Sequence, residues 1–261
     1  MRSEERRFAW MLALALAGVP LGLVGVMVAL YFYGLSLVPE TPRVAASTPP
    51  AEVVSAAIWA RFDGGSPEVE VMTPWTFIQL RACRAMASRA DDREAAREAC
   101  IRRHPGVEVA GAVATTHVMG HGLRRSLRGE IGQVATAAWL TRHWSRDDLV
   151  TELAANGDFG HGWRGVAMAA RGYFGRAPGA LSASDAALLA AVLGGATSVD
   201  PWCHPEAALA ERNHVLERMA LNGAVSSDVL GELRGQPLGV VSAECQAAPP
   251  SGVNRPAASG R

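Results

Sequence analysis

Six carboxylates in the middle of the chain could serve as general acids or bases. They are Glu98, Glu130, Asp147, Asp148, Glu152 and Asp158. Acid–base catalysis needs two groups held within reach of the reacting bond. The spacing of these six residues selects no pair, and solvated helix faces would explain most of them. The carboxylates alone therefore indicate no reaction.

Two histidines four residues apart, His117 and His121, could bind a metal ion. On a helix this spacing would place both imidazoles on one face. However, Gly120 and Gly122 weaken a helix at this point, and no glutamate completes an HExxH arrangement. We therefore expect surface or loop histidines and no metal site.

A glycine-rich stretch, GHGWRG, covers residues 160–165 and precedes an apolar run. The free backbone amides of such a turn can bind phosphate, which makes Arg164 a candidate binding residue. A tight turn with close backbone packing would explain the same glycines, and this second interpretation is preferred on physical grounds.

The N-terminal segments predict the compartment. Residues 1–7 carry three arginines, and residues 8–33 form an uncharged apolar run. Such a run can cross a bilayer, which takes roughly 20 residues, and it is too long for a cleaved signal peptide. The arginines before it favour a cytoplasmic N-terminus. We predict one transmembrane anchor in a bacterial inner membrane, with the bulk of the chain in the periplasm.

Beyond the anchor, the sequence predicts a proline-rich linker over 34–52, a folded domain over 53–245 and a disordered tail over 246–261. The domain has helical patterns throughout and no sustained strand alternation, so the predicted fold class is mostly α. Ser182 and Asp185 form a plausible cap before an apolar run that should be buried, and Pro205 opens a further helix at its first position. The 25 basic and 25 acidic residues balance. Neutrality and the absence of basic runs argue against nucleic acid as a partner.

Four cysteines fit an oxidising compartment. Cys83 and Cys100 flank an Asp91-Asp92 turn almost symmetrically, within two segments that both have helical patterns. An antiparallel helical hairpin would bring these thiols together, and the disulfide would stabilise the fold by about 3 kcal/mol. Cys203 and Cys245 would then pair by elimination. Zinc is the alternative, but no Cys-x-x-Cys spacing supports it.

The stretch WSRDDLVTELAANGDFGHGWRGVAMAARGYFGR, residues 144–176, resembles the second half of the family 51 peptidoglycan glycosyltransferases. These are the lysozyme-like transglycosylase domains of penicillin-binding proteins and monofunctional transglycosylases. The resemblance continues to Ser226 without a gap. It implies a lysozyme-like fold, and it implies that the glycines of 160–165 are largely architectural.

Upstream, the residues depart from the family pattern. Family members polymerise lipid II with a glutamate base in a Glu-Asp-x-x-Phe-x-x-His-x-Gly motif. Here His104 and Gly106 match, but Arg97 stands at the glutamate position. A shift of one residue would make Glu98 the candidate base, and His104 is a candidate binding residue.

The family's third motif, Arg-Lys-x-x-Glu, aligns with residues 129–133 and is also changed. Glu130 stands in place of lysine and Gln133 in place of glutamate. In the fourth motif, Thr151 stands where the family has a glutamate, and Glu152 lies one position further along the chain. Positive charge must be placed where the departing pyrophosphate develops negative charge, and losing one such group typically costs about 100- to 1,000-fold in rate.

The resemblance therefore predicts a membrane-anchored, catalytically degenerate glycosyltransferase-like protein of peptidoglycan synthesis. It would bind glycan, a lipid-linked precursor such as lipid II, or a cell-wall synthase, and would need no cofactor. One alternative is an active transglycosylase with Glu98 as base, Glu130 or Glu152 assisting, and a divalent metal. Another is a purely structural envelope protein.

Overall fold

The computed structural model describes residues 18, 21–38, 40–45, 48–62, 65–123, 126–195, 197–243 and 245. Within these ranges the secondary structure is helical, apart from an isolated bridge between Asp158 and Arg164. The predicted mostly α fold class is confirmed. The described residues form two compact units, one within 1–46 and 65–149 and the other within 47–64 and 150–261.

Helices follow one another along the chain with short connections. After the helix over residues 21–36 come α1 (Glu52–Phe62), α2 (Pro74–Ala87), α3 (Arg93–Arg102), α4 (Val107–Gly120) and α5 (Leu127–His143). The next five are α6 (Arg146–Asn156), α7 (Val166–Phe174), α8 (Ala183–Val192), α9 (Pro205–Leu221) and α10 (Ser227–Gly235). Two short 3₁₀ turns, Pro178–Ala180 and Thr197–Val199, flank α8.

The predicted anchor, residues 8–33, lies partly outside the described residues, as do the predicted N-terminal segment 1–7 and tail 246–261. Residues 21–36 are helical. In the described part of the chain, no helix combines the length and the apolar character needed to cross a membrane. The anchor therefore stays a prediction.

A disulfide-linked helical hairpin is part of the first unit. Thr73 caps the start of α2 and Asp92 caps the start of α3, each through its side-chain oxygen. The disulfide Cys83–Cys100 joins the two helices with a Cα–Cα distance of 5.8 Å. The predicted antiparallel hairpin and its disulfide are confirmed.

In the first unit, the helix over residues 21–36 packs closely against α5. A Cβ built on Gly34 would lie 2.5 Å from the Cβ of Ala135 and 2.7 Å from the carbonyl oxygen of Ile131. Any larger side chain would push the helices apart, so glycine is what permits this distance.

In the second unit, α8 is the central helix. Every residue from Ser184 to Val192 is buried, as its uniformly apolar sequence predicts. Ser182 and Asp185 form a reciprocal capping box at its N-terminus. Helices α1 and α9 both pack against α8. Pro205 opens α9 at its first turn, also as predicted.

Arg212 on α9 fastens the C-terminal segment to this core. Its side chain is fully buried, and burial lowers its pKa, an effect opposed by the negative charge of Asp185. The guanidinium donates hydrogen bonds to three backbone carbonyls. One is that of Arg234 (2.9 Å), near the end of α10, and the others are those of Gln236 (2.7 Å) and Pro237 (3.2 Å), just after this helix. A side chain of α9 therefore holds the segment that follows α10.

The same C-terminal segment is fixed at two further points. The indole nitrogen of Trp202 donates to the carbonyl of Val241 (2.9 Å), and the amide of Val241 donates to the carbonyl of Tyr173 (2.7 Å). The disulfide Cys203–Cys245, with Cα atoms 4.8 Å apart, links the end of this segment covalently to Cys203. Both predicted cysteine pairs are thus present.

The turn over residues 160–165 is tight and packs against aromatic side chains. Gly160, Gly162 and Gly165 all have φ between 76° and 83°, where glycine is favoured. The buried hydroxyl of Tyr173 donates to the carbonyl of Phe159 (2.8 Å) beneath this turn. Burial raises the pKa of Tyr173 above its ordinary value, and nearby carboxylates add to the shift.

We predict that Arg212→Leu destabilises the second unit by about 3 kcal/mol or more, because several buried carbonyls lose their donor at once. Urea unfolding followed by circular dichroism measures this loss. Arg234→Gln is the control, since its ion pair with Glu217 (3.2 Å) is exposed and should contribute under about 1 kcal/mol. Equal losses in the two variants would contradict the role of Arg212.

Tyr173 should make stability sensitive to alkaline pH. The pKa of Tyr173 is raised on folding. Its contribution to the free energy of unfolding is therefore complete below the unfolded pKa of about 10 and declines as the pH rises above that value. Between pH 9 and 11 the wild-type chain should lose about 1 kcal/mol more than Tyr173→Phe. Parallel losses in urea unfolding at the two pH values would refute this assignment.

Candidate functional site

A cavity of about 660 Å³ lies within the first unit. Ligand sites of small molecules typically measure about 300–1,000 Å³. Apolar side chains from the helix over 21–36, from the start of α2 and from α5 form most of its wall. The polar lining residues are Thr73, Arg81, Glu130, Gln133 and Arg142.

Two arginines bring positive charge to this cavity. The guanidinium of Arg142 lies 5.6 Å from the ring centre of Tyr31, and that of Arg81 lies 5.8 Å from the ring centre of Phe77. Such stacking orients a guanidinium. Nη1 of Arg142 also donates to the carbonyl of Ala138, so only its remaining N–H groups can reach a ligand. Both arginines are exposed. The cavity can therefore accept an anionic group.

The positions aligned with the third family motif also lie here. Glu130 and Gln133, at the start of α5, both line the cavity. Glu130 is exposed, and the amide of Gln133 can neither accept a proton as a base does nor bind a metal as a carboxylate does. A single carboxylate, an amide and two arginines do not fit a divalent cation, which prefers several anionic oxygen ligands.

Glu98, the candidate base, lies on α3 and not among the cavity-lining residues. Its Oε1 is 3.9 Å from Nη1 of Arg102, one helical turn further on. Its side chain is only 17% exposed.

His104 is paired with a residue that the sequence did not indicate. Its buried imidazole has Nδ1 3.0 Å from Oε2 of Glu70, and the hydroxyl of Thr76 donates to Oε1 of Glu70 at 3.3 Å. The backbone amide of Glu70 also donates to the carbonyl of Pro105 (2.8 Å). No local motif marks Glu70, because its partner lies 34 residues away in sequence.

Glu152 and Arg164 lie in the second unit. Glu152 on α6 accepts a hydrogen bond from the amide of Asn156 (2.8 Å). Arg164 is exposed and takes part in the backbone bridge with Asp158. Nearby, the imidazole Nε2 of His161 lies 2.9 Å from Oδ2 of Asp200, a contact that sequence reasoning also missed.

The expectation of surface or loop histidines holds in part: the pair lies at the end of a helix and not in a loop, and His121 is exposed. Helix α4 runs through Gly120, so His117 is within it and His121 caps its end. The two imidazole centres are 4.4 Å apart. His117 contacts the backbone carbonyl of Glu40 through Nε2 (3.0 Å). No group of three or more possible metal ligands occurs among the described residues.

Comparison with known proteins supports a relationship to the transglycosylases. Residues 104–220 match the family model described as transglycosylase. Penicillin-binding protein 1C of Escherichia coli (strain K12) is 35% identical over 114 residues, which cover 44% of this chain and 15% of the relative. Penicillin-binding protein 1A of Aquifex aeolicus (strain VF5) is 33% identical over 149 residues, 55% of this chain and 20% of the relative.

The relationship predicted from the sequence is thereby confirmed. The chain spans a fifth or less of the length of these two relatives. The family match begins at His104 and includes Glu130, Gln133 and Glu152, whereas Glu70 and Glu98 precede it.

We predict a structural contribution from Glu70. Glu70→Ala should destabilise the first unit by about 1–2 kcal/mol, because the buried imidazole of His104 loses its partner. Glu68→Ala is the matched control, since Glu68 is exposed and its removal should cost under about 0.5 kcal/mol. Thermal and urea unfolding measure both variants, and indistinguishable stabilities would contradict the pairing.

Proposed function

We propose that this relative of the transglycosylases is a glycosyltransferase-like protein of peptidoglycan synthesis that binds a lipid-linked glycan precursor without polymerising it. The observation that carries the proposal is the composition of the cavity. It combines apolar walls and two arginines with Glu130 and Gln133 at the positions of the third motif.

The charges favour binding over catalysis. A polyprenyl pyrophosphate carries an apolar chain and an anionic head, which match the apolar wall and the guanidinium groups of Arg81 and Arg142. Catalysis would also need a base for the attacking hydroxyl and stabilisation of the leaving pyrophosphate. Glu130 places negative charge in the same cavity and opposes that stabilisation.

The predicted anchor fits this role. With residues 8–33 in the inner membrane, the cavity wall formed by residues 27–31 would lie close to the outer surface of the bilayer. A lipid-linked ligand could then reach the cavity without leaving the membrane. The open cavity also supports a binding role over a purely structural one.

An active transglycosylase is the second candidate. The observation that favours it is the exposed carboxylate of Glu130, which lines the cavity. In that case Glu98 would act as the base and Glu130 or Glu152 would assist. Against this candidate, Glu98 is engaged with Arg102.

The binding proposal predicts a specific loss of affinity. Full-length protein in detergent should bind a fluorescent lipid II, and Arg81→Gln and Arg142→Gln should each weaken binding about tenfold, since each removes a charged hydrogen bond to the pyrophosphate. Fluorescence anisotropy measures the dissociation constants.

The matched control is Arg171→Gln, because Arg171 is an exposed arginine of the second unit. It should leave the affinity unchanged. Equal affinity in all three variants, or no binding by the wild-type protein, would contradict the proposal.

A further inference from the structure

The cavity of the first unit carries charge of both signs. Among the described residues that line it, Glu130 is acidic, whereas Arg81 and Arg142 are basic. No ion pair joins Glu130 to either arginine or to another residue of the described ranges. The Glu130 side chain belongs to an exposed residue, so its carboxylate is accessible to a ligand in the cavity.

Glu130 and Arg142 lie toward opposite ends of the wall that α5 contributes. Both belong to this helix, at residues 130 and 142, and a rise of 1.5 Å per residue places their Cα atoms about 18 Å apart along its axis. Ile131, Val134 and Ala138 line the cavity between them. The two charges are therefore separated by an apolar wall, and they can bind different groups of one elongated ligand.

Gln133 adds a further oxygen beside Glu130. The two residues are three positions apart on α5 and both line the cavity, and residues at this spacing are neighbours on a helix. We call them the acceptor pair. Their two carboxylate oxygens and one amide oxygen match in number the three N–H donors of a primary ammonium group. A divalent cation would need more anionic oxygens, so an ammonium group fits the acceptor pair better.

Apolar side chains flank the acceptor pair. Leu127 is 73% exposed and Val134 is 40% exposed, and both line the cavity. They lie three and four positions from Glu130, on the same face of α5. An alkylammonium group carries methylene groups next to its charge, and such side chains can cover them. Because this contact displaces water, it also strengthens the attraction between the ammonium and the carboxylate.

A purely local role of Glu130 explains less of this arrangement. A carboxylate in the first turn of a helix is stabilised by the helix dipole, and Glu130 occupies that turn of α5. The dipole does not require the carboxylate to line a cavity beside an amide. Arg128 is exposed two positions away but does not line the cavity, and residues two apart on a helix do not face each other. Arg124 and Arg125 lie outside the described residues.

We infer that the acceptor pair binds a primary ammonium group of the lipid-linked ligand, while Arg81 and Arg142 bind its phosphate. This inference rests on the proposed function and names the chemical class of the ligand, which carries an anionic group and a separate cationic group on one apolar chain. The carboxylate of Glu130, which disfavours a departing pyrophosphate, thereby contributes to binding.

Two parts of a glycan precursor can supply the ammonium group. One is a sugar with a free amino group, and the other is a diamino acid in the attached peptide. The amine of a sugar is bonded to the ring that carries the phosphate, so it stays close to that phosphate. A peptide extends by up to about 3.5 Å per residue. The separation of about 18 Å between Glu130 and Arg142 therefore favours the peptide amine.

Calorimetry with matched ligands tests the inference. Full-length protein in detergent is titrated with unlabelled lipid II whose peptide carries a free lysine amine, and with the same lipid after acetylation of that amine. The wild-type protein should bind the free amine about tenfold more tightly, since acetylation removes a charged hydrogen bond. Glu130→Gln should bind the two forms with equal affinity, and this binding also shows that the variant is folded.

The matched control is Asp147→Asn. The side chain of Asp147 is 81% exposed and does not line the cavity, so this variant should keep the tenfold preference. A third ligand, with the peptide amine acetylated and one sugar amine free, distinguishes the two sources of the ammonium group. Recovered affinity for this ligand would support the acceptor pair with a sugar amine as its partner, whereas we expect no recovery.

The outcomes separate this inference from the proposed function. Equal binding of all three ligands by the wild-type protein would overturn the inference and leave the proposed function standing. A preference for the free amine that persists in Glu130→Gln would also overturn it, because the amine would then bind elsewhere. Failure of the wild-type protein to bind any of the ligands would overturn the proposed function and the inference together.

Discussion

The close packing of the helix over 21–36 against α5 is the constraint on which the candidate site depends. It exists because Gly34 has no side chain where Ala135 and Ile131 approach. Both helices contribute walls to the cavity, and α5 also supplies Glu130 and Gln133. The helix over 21–36 is therefore part of the candidate site.

Local signals in the sequence predicted much of the fold. The Ser182–Asp185 capping box, Pro205 at the start of α9 and the cysteines on either side of a turn each act over a few residues or through symmetric spacing, so a pattern reveals them. The pairs Glu70–His104 and His161–Asp200 could not be predicted, because tertiary packing brings together residues distant in sequence. The cavity was missed for the same reason.

Of the candidate site residues named from the sequence, some line the cavity and others do not. Glu130 lies in the cavity, whereas Glu98 lies on α3 beside Arg102. The resemblance in sequence singled out Glu130, which lies on α5 inside the matched region. It did not anticipate Arg81, which precedes that region. Positive charge in the cavity thus comes partly from a residue that family motifs do not mark.

The central claim is that the scaffold binds without polymerising, and a lipid II polymerisation assay tests it most directly. Purified full-length protein in detergent with a divalent metal, beside Glu98→Ala, should give no glycan chains at any enzyme concentration. Glycan chains made by the wild-type protein and absent from the Glu98→Ala reaction would contradict the claim and identify Glu98 as the base.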